Sequence, residues 1–486
     1  MRPAYAANDV RGVQCSSRTV FAPNAVRLGV NLEHHNNHRW VALAAVLCAT
    51  AMDLLDSTVM VVAAPSVQEA MHGGDAVLQW LTAAYTLPFG ILLILGGRLG
   101  DRLGRRRVFL VGAAGFVVAS LACAFAPSIG ILLAARGLQG AFGALLIPQG
   151  YGIVGALFRD QREQGRAFSL FGPINAIAGV GGPILAGALI GWDIGGSGWR
   201  AIFLINVPIG LFVLIAAVRC LPRDDGRPGT RIDVAGAALV AVSAALLVFP
   251  LIQGRESGWP WWSFVLLALA VPAGWALVRQ IRGSSAPILE PSLFGKPTFV
   301  AGLAVAAALF AGTGGLNLLL SLFLQLSGGQ DAIATGLALA PLAIGIAVGA
   351  PIAARLRASV GRHGLHIGFL VEVIGLVLIA TAVLMDQNVG VFEVGIFVTG
   401  LGQGLLFGPV IQTILGTADG HEIGSAAGAM TSLQQIAAAL GISILGTVFL
   451  ASTSTASMIT GLAVVIALMA CAALLVLRIP THAHTC

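Results

Sequence analysis

The chain has 486 residues, 57% of them hydrophobic and 10% charged, with a mean hydropathy of +0.90. A folded body of this composition cannot cover itself with a polar surface, which excludes an ordinary water-soluble protein and marks a membrane protein. The net charge of +6 and isoelectric point near 9.4 rest on arginine, which supplies 26 of the 27 basic residues. Their placement, taken up below, accounts for the charge without a nucleic-acid partner.

In chain order, residues 1–39 come first, with five arginines and no apolar core of the kind a cleavable secretory signal carries, so they read as a loose tail. Within it His34 to His38 (HHNNH) could hold a metal, but a lone His-rich tract beside such a tail is usually solvated, and no metal site is assigned. A hydrocarbon core about 30 Å thick takes roughly 20 helical residues. Charge-free runs of about that length follow at 76–97, 108–135, 137–158, 167–192, 201–218, 234–254, 257–278, 297–330, 332–354, 394–418 and 423–477. The last is long enough for two helices, divided at Ser452 to Ser457 (STSTAS). Two further spans carry acids: about 40–64, with Asp53 and Asp56, and about 365–385, with Glu372. The total is fourteen spans in an all-α membrane protein.

Short loops rich in arginine stay in the cytoplasm. With the N-terminus inside, 24 of the 27 basic residues fall on the inner side, leaving Arg136 inside a span and Arg200 and Arg255 near the outer side. Both termini are therefore expected in the cytoplasm. The six cysteines at 15, 48, 123, 220, 471 and 486 lie in spans or at cytoplasmic ends, which implies no outside disulfide framework.

An internal repeat is visible: Arg98 to Arg105 (RLGDRLGR) aligns with Arg355 to Arg362 (RLRASVGR), each between two spans on the same side. The repeat pairs helices 2 and 3 with 10 and 11. It divides the chain into a tail (1–39), a six-helix bundle (40–231), two extra linker helices (232–283), a second six-helix bundle (284–479) and a short tail (480–486).

Gly97 to Arg107 (GRLGDRLGRRR) puts five arginines and one aspartate into eleven positions. Topology explains the arginines as an inner-side anchor but not the Asp and Gly spacing. Here the chain resembles the major facilitator superfamily, and within it the fourteen-span drug:proton antiporter branch of EmrB/QacA type, over residues 40 to 480. Gly97, Asp101, Arg102, Gly104, Arg105 and Arg106 match the superfamily's loop signature between helices 2 and 3. The resemblance implies a latch that holds the two bundles together in one conformation, centred on Asp101.

Leu55 to Pro65 (LDSTVMVVAAP) resembles the branch's first-helix pattern, with Val61 in place of the usual Asn. Asp53 and Asp56 lie three apart on one helical face near the bilayer middle, where two charged carboxylates crowd each other. The reading is that Asp56, at the family position, exchanges a proton and Asp53 tunes it; the plainer reading is a hydrogen bond to a neighbouring helix. Arg136 to Gly150 (RGLQGAFGALLIPQG) resembles the fourth-helix motif through Arg136, Gln139, Gly140 and Gly143. Arg136 needs a partner, either a first-helix acid or, by snorkelling, water. The family reading places it in proton coupling.

Gly179 to Gly187 (GVGGPILAG) resembles the antiporter motif of helix 5 through Gly179, Gly182, Pro183 and Gly187, with Ala186 where Gly is preferred. Small-residue packing competes as the explanation. Trp199 to Gly210, Trp80 to Leu87 and Leu322 to Pro341 are also similar to branch segments. Tyr85, Phe89, Gln139, Asn175, Asn317, Glu372 and Gln403 are candidates to line a central cavity, Glu372 with a loop arginine as alternative partner.

The resemblance implies an efflux transporter of the cell membrane that exchanges small amphipathic or cationic compounds for protons by alternating access. Its partners are a small-molecule substrate, protons and the bilayer, and the expected state is a monomer. No cofactor is expected: no Walker-type phosphate loop appears, so the energy source is an ion gradient. The rivals are a dedicated exporter of an endogenous metabolite, lipid or antibiotic, and a non-transporting sensor of the same fold. A membrane enzyme would need converging His, Cys or carboxylate ligands, and the spans show no such pattern.

Overall fold

The computed structural model describes residues 32–158, 160–224, 226, 233–284, 287, 289–360, 363–385, 389–419 and 422–478. Among them every regular element is helical. The principal helices are α1 (Leu32–Ala70), α2 (Ala76–Leu103), α3 (Arg105–Ala124), α4 (Ile129–Leu157), α5 (Phe171–Trp192), α6 (Asn206–Cys220), α7 (Val234–Glu256) and α8 (Trp261–Gly283). They continue with α9 (Pro297–Leu322), α10 (Ala332–Val360), α11 (His363–Leu384), α12 (Val389–Leu415), α13 (Ile423–Leu450) and α14 (Thr455–Val476). Thirteen spans are long and apolar enough to cross a membrane, α6 counting with its approach as Gly198–Cys220, and α5 contributes a shorter apolar stretch, Gly181–Trp192. Nearly all backbone hydrogen bonds lie within helices, the only open-ended structure that hydrocarbon tolerates.

Three boundaries differ from the sequence reading. The first helix begins at Leu32 rather than Trp40, because nothing between them breaks a helix. The fifth is preceded by a separate polar helix, Gln161–Ser169, which takes in the first residues of the apolar run and is divided from α5 at Leu170. The tenth continues past its apolar run to Val360, with Arg355 and Arg357 in its last turns. The first 31 residues, the side chains of His34 to His38, Gly361, Arg362 and the tail from 479 lie outside the described residues.

Turns are set by local chemistry. Gly104 (φ 96°) makes the α2–α3 corner, a conformation open to glycine and closed to most side chains. Asp233 caps α7 by accepting from the Gly236 N–H at 2.8 Å, and Ser454 and Ser457 form a capping box at α14. Pro65, Pro88, Pro148, Pro183 and Pro250 sit inside long helices, which neighbouring helices make tolerable within a membrane.

The packing repeats. Among α1–α6, α2 and α3 pack on α4, α1 on α5 and α6, and α3 on α6; among α9–α14, α10 and α11 pack on α12, α9 on α13 and α14, and α11 on α14. Each contact in the first set has its counterpart eight helices on. The two sets meet through α2 against α13 and α5 against α10, again the same pair with the roles exchanged. Helix α7 lies across the α2–α13 seam, sharing an apolar cluster with Ala83, Leu87 and Ala439. Helix α8 packs on α7 and is buried only at Ser263 and Ile281; Trp261, Phe264, Leu269, Val271 and Trp275 are exposed.

At the end opposite the arginine-rich loops the two sets are joined closely. Ser321 donates to the Val61 carbonyl at 2.8 Å and Gln325 to the Val62 carbonyl at 3.1 Å. The α5 backbone at Pro183 and Gly187 lies directly against α10 at Gly336, Ala332 and Ile333. At the arginine-rich end, the ion pairs Arg39–Glu163 (3.7 Å) and Lys296–Glu422 (2.6 Å) each lie within one set.

Candidate functional site

Asp56 is 4% exposed in the middle of α1; α4 and α6 reach its carboxylate directly, and α2 and α3 join the network around it. Arg136 of α4, fully enclosed, forms an ion pair with it through Nη1. Gln139, one turn further along α4, donates to the carboxylate from Nε2 at 2.8 Å, and Asn206 at the start of α6 donates from Nδ2, also at 2.8 Å. Arg136 donates from Nε to the Leu81 carbonyl of α2 (3.1 Å) and from Nη1 to Gln139 Oε1 (2.8 Å). Ser120 of α3 accepts from Gln139 (3.1 Å) and Asn206 (3.0 Å) and donates to the Phe203 carbonyl (3.2 Å). The Arg136 guanidinium carbon lies 4.6 Å from the Tyr85 ring centroid and 5.8 Å from that of Phe203. Buried charge persists only when paired and hydrogen-bonded on its remaining atoms, and Asp56 meets both conditions. Arg136 Nη2 has no partner.

Asp53, one turn before Asp56 and half-buried, has a different environment. Its donor is the hydroxyl of Tyr85, whose ring stacks on Phe89 at 5.8 Å. Gly143 leaves room for Asp53 and Phe89, and Gly140 lets α4 lie on the Tyr85 backbone, where a Cβ would collide with the main chain.

The antiporter-motif residues divide between two neighbours. Gly182 abuts Thr58 of α1, Pro183 and Gly187 meet α10, and Gly179 faces open space. The loop residues lie within the first set: Arg105 reaches Asp101 (3.2 Å) and the Gly152 carbonyl (2.9 Å), and Arg106 reaches the Val218 carbonyl (2.6 Å). Asp224, which sequence reasoning passed over, accepts from the Arg105 and Arg106 backbone N–H groups at 2.6 and 3.1 Å, capping α3. Gly97, Arg102 and Gly104 make the α2 end and the corner.

The cavity candidates are placed differently from the expectation. Tyr85, Phe89, Gln139, Glu372 and Gln403 are enclosed between packed helices. Glu372 meets Gln403 of α12 (3.2 Å) rather than a loop arginine. Asn317 bonds back to the Thr313 carbonyl (2.9 Å), and the Asn175 side chain lies outside the described residues. A cleft of about 500 Å³ opens at the end opposite the arginine-rich loops, lined by Pro65, Glu69, Gly187, Gln325, Gln330 and Asp331. Among the described residues no group of three His, Cys, Asp or Glu could hold a metal.

At the arginine-rich end of α9 and α13, Glu422 accepts from Lys296 Nζ, Ser292 and the Asp419 N–H. Lys296, then Ser292, hold its carboxyl down to about 2, and Glu422 and then Asp419 raise the Lys296 amine in turn.

Sequence reasoning missed Ser120 and Asn206. The available signal was a polar side chain inside an apolar run, strongest for Asn206 in IFLINVPIG.

Comparison with known proteins gives the following. A family model described as Major Facilitator Superfamily matches residues 46–442. The chain is 44% identical over 435 residues, 87% of its length and 75% of the relative's, to a probable actinorhodin transporter of Streptomyces coelicolor. It is 35% identical to a puromycin resistance protein of Streptomyces alboniger, covering 86% of this chain and 83% of that one. A crystal structure of a peptide transporter, POT, in complex with sulfate superposes with a TM-score of 0.67 at 16% identity, over 90% of this chain and 94% of that chain, a likeness of fold alone.

Proposed function

From the premise that this chain belongs to the Major Facilitator Superfamily, as a multi-pass transport protein of the efflux type and not an enzyme, we propose that it exports an antibiotic-like small molecule in exchange for protons. The observation that carries the reading is the enclosed Asp56–Arg136 pair with a second carboxyl, Asp53, one turn away.

The two acids are unequal, and the roles follow. Asp56 has a cation and two amide donors, so removing its charge strands Arg136 in the seam; it keeps α1 tied to α4 and α6. Asp53 has a neutral phenol, which serves the carboxylate as donor and the acid as acceptor, so a proton enters and leaves there without dismantling the network. Asp53 is therefore the proton-exchanging group and Asp56 with Arg136 its fixed electrostatic frame, an allocation opposite to that implied by the family position. Protonation of Asp53 and binding of substrate each bias the same conformational equilibrium.

The moving parts are the two six-helix bundles, 40–231 and 284–479, with 232–283 as linker helices; the repeated packing supports this division. With the arginine-rich loops in the cytoplasm of a cell membrane, the Ser321–Val61 and Gln325–Val62 contacts support a conformation drawn together at the outer end. The names of the two relatives support cargo of antibiotic type, and that of the first, a probable actinorhodin transporter, favours a dedicated exporter over a broad one.

The test is transport in proteoliposomes under an imposed pH gradient, with a panel of dyes and antibiotics. Wild type accumulates a cargo against its gradient; Asp53→Asn loses gradient-driven transport and retains cargo exchange. Undiminished gradient-driven transport by Asp53→Asn refutes the proposal.

A further inference from the structure

Outside the Asp56 network, the spans of the second set hold one fully enclosed acid that the mechanism does not use. Glu372, in the interior of α11, is 0% exposed, as is Gln403 of α12, which faces it. Gln403 Nε2 donates to Glu372 Oε1 at 3.2 Å. The remaining two atoms of the pair, Glu372 Oε2 and Gln403 Oε1, have no hydrogen-bond partner.

Both vacant atoms are oxygens, and that fact is informative. A carboxylate only accepts, so beside an ionised Glu372 the Gln403 oxygen has nothing to accept from, and Oε2 has no donor. A carboxylic acid supplies the one missing hydrogen. Placed on Oε2 and donated to Gln403 Oε1, it closes a ring of two antiparallel hydrogen bonds and satisfies both atoms at once. Rotating the amide does not help, because the amide nitrogen can face only one carboxyl oxygen in a ring of this kind.

The surroundings supply no other means of holding a charge. Among the described residues no cation pairs with Glu372, and Gly402 of α12 brings bare backbone against the Glu372 main chain and Cβ. Helices α9, α13 and α14 carry no charged residue. On α12 the acid is Glu393, ten residues from Gln403 and so about 15 Å along the axis; on α11 itself the titratable groups are His363 and His366, the nearer six residues or about 9 Å away. Arg355 and Arg357 lie in the last turns of α10, at the arginine-rich end.

We infer that Glu372 is held as a neutral carboxylic acid, joined to Gln403 by two hydrogen bonds, and that it keeps its proton throughout the transport cycle. The pair ties α11 to α12, as the Asp56 network ties α1 to α4, but without net charge. Glu372 is a positioning residue, and proton coupling stays with the first set. This last statement rests on the proposed antiport; the protonation of Glu372 does not.

Two measurements test it. Infrared difference spectra of purified wild type and Glu372→Gln report the group directly: loss of a protonated-carboxyl C=O band, at neutral and at alkaline pH, is expected, and loss of carboxylate bands overturns the inference. In the pH-gradient vesicles Glu372→Gln, which preserves both hydrogen bonds as an amide pair, is expected to retain wild-type gradient-driven flux; its loss in a folded variant overturns the inference. Asp53→Asn in the same vesicles separates the two proposals, since its undiminished flux defeats the antiport reading and leaves the infrared result standing. Glu372→Leu strands Gln403 and lowers the melting temperature, and Glu372→Leu/Gln403→Leu restores it; a double variant no better than the single overturns the pairing.

Discussion

Arg136→Leu is the sharpest perturbation of the network. It removes the cation from an enclosed Asp56, leaving the carboxylate with only the Gln139 and Asn206 amides, and it strips donors from the Leu81 carbonyl and Gln139 Oε1. Breaking a buried pair on one side costs about 3–5 kcal/mol, because the partner's charge stays behind without compensation. Asp56→Leu does the same to Arg136, at a similar cost. Replacing both by apolar groups removes both charges, and such exchanges run from neutral to mildly stabilising; leaving Gln139, Asn206 and Ser120 short of partners raises the double variant to about 1–3 kcal/mol. The singles sum to roughly 6–10 kcal/mol, so the coupling energy is at least about 3 kcal/mol, two decades in the folding equilibrium. Denaturation in mixed micelles of wild type, both singles and the double measures it. Losses that add within about 0.5 kcal/mol refute the claim that the two charges act as a unit.

Other consequences are equally concrete. Gly140→Val drives a Cβ into the Tyr85 backbone and should cost about 1–3 kcal/mol of thermal stability in detergent, against under about 0.5 kcal/mol for Gly130→Val, which faces open space. Glu422, held down to about 2 from an ordinary 4.5, stabilises the fold above pH 4.5 and loses that contribution as pH falls towards 2. Lys296, raised above 10.5, contributes below that value and loses it as pH climbs through the raised one, so the melting difference between wild type and Lys296→Met should be flat from about pH 5 to 10. Asp101→Asn removes a half-exposed pair worth at most about 1 kcal/mol; transport in vesicles should nevertheless fall well beyond what that loss explains, and a fall that merely tracks stability speaks against the latch.

Much of this was legible in the sequence for one reason: charge in hydrocarbon is conspicuous. Asp53, Asp56, Arg136 and Glu372 stand out of apolar runs, and arginine placement orients the spans. What the residues bind was less legible. A helix that is apolar all round gives no periodic signal for the face that meets a neighbour, so Ser120, Asn206 and Gln403 could not be assigned to their acids. The family position singled out Asp56, while the difference between its charged frame and the phenol on Asp53 depends on α2, α3, α4 and α6 converging. The break at Leu170 and the start at Leu32 were missed because polar helix and polar loop share a composition.

The position of α7 has an architectural outcome. By lying across α2 and α13, with α8 outside it, the extra pair covers one of the two seams between the sets and leaves the other, between α5 and α10, without such a cover. The molecule therefore has a front and a back about its long axis, one seam doubly covered and the other closed by the direct contact of α5 with α10 alone.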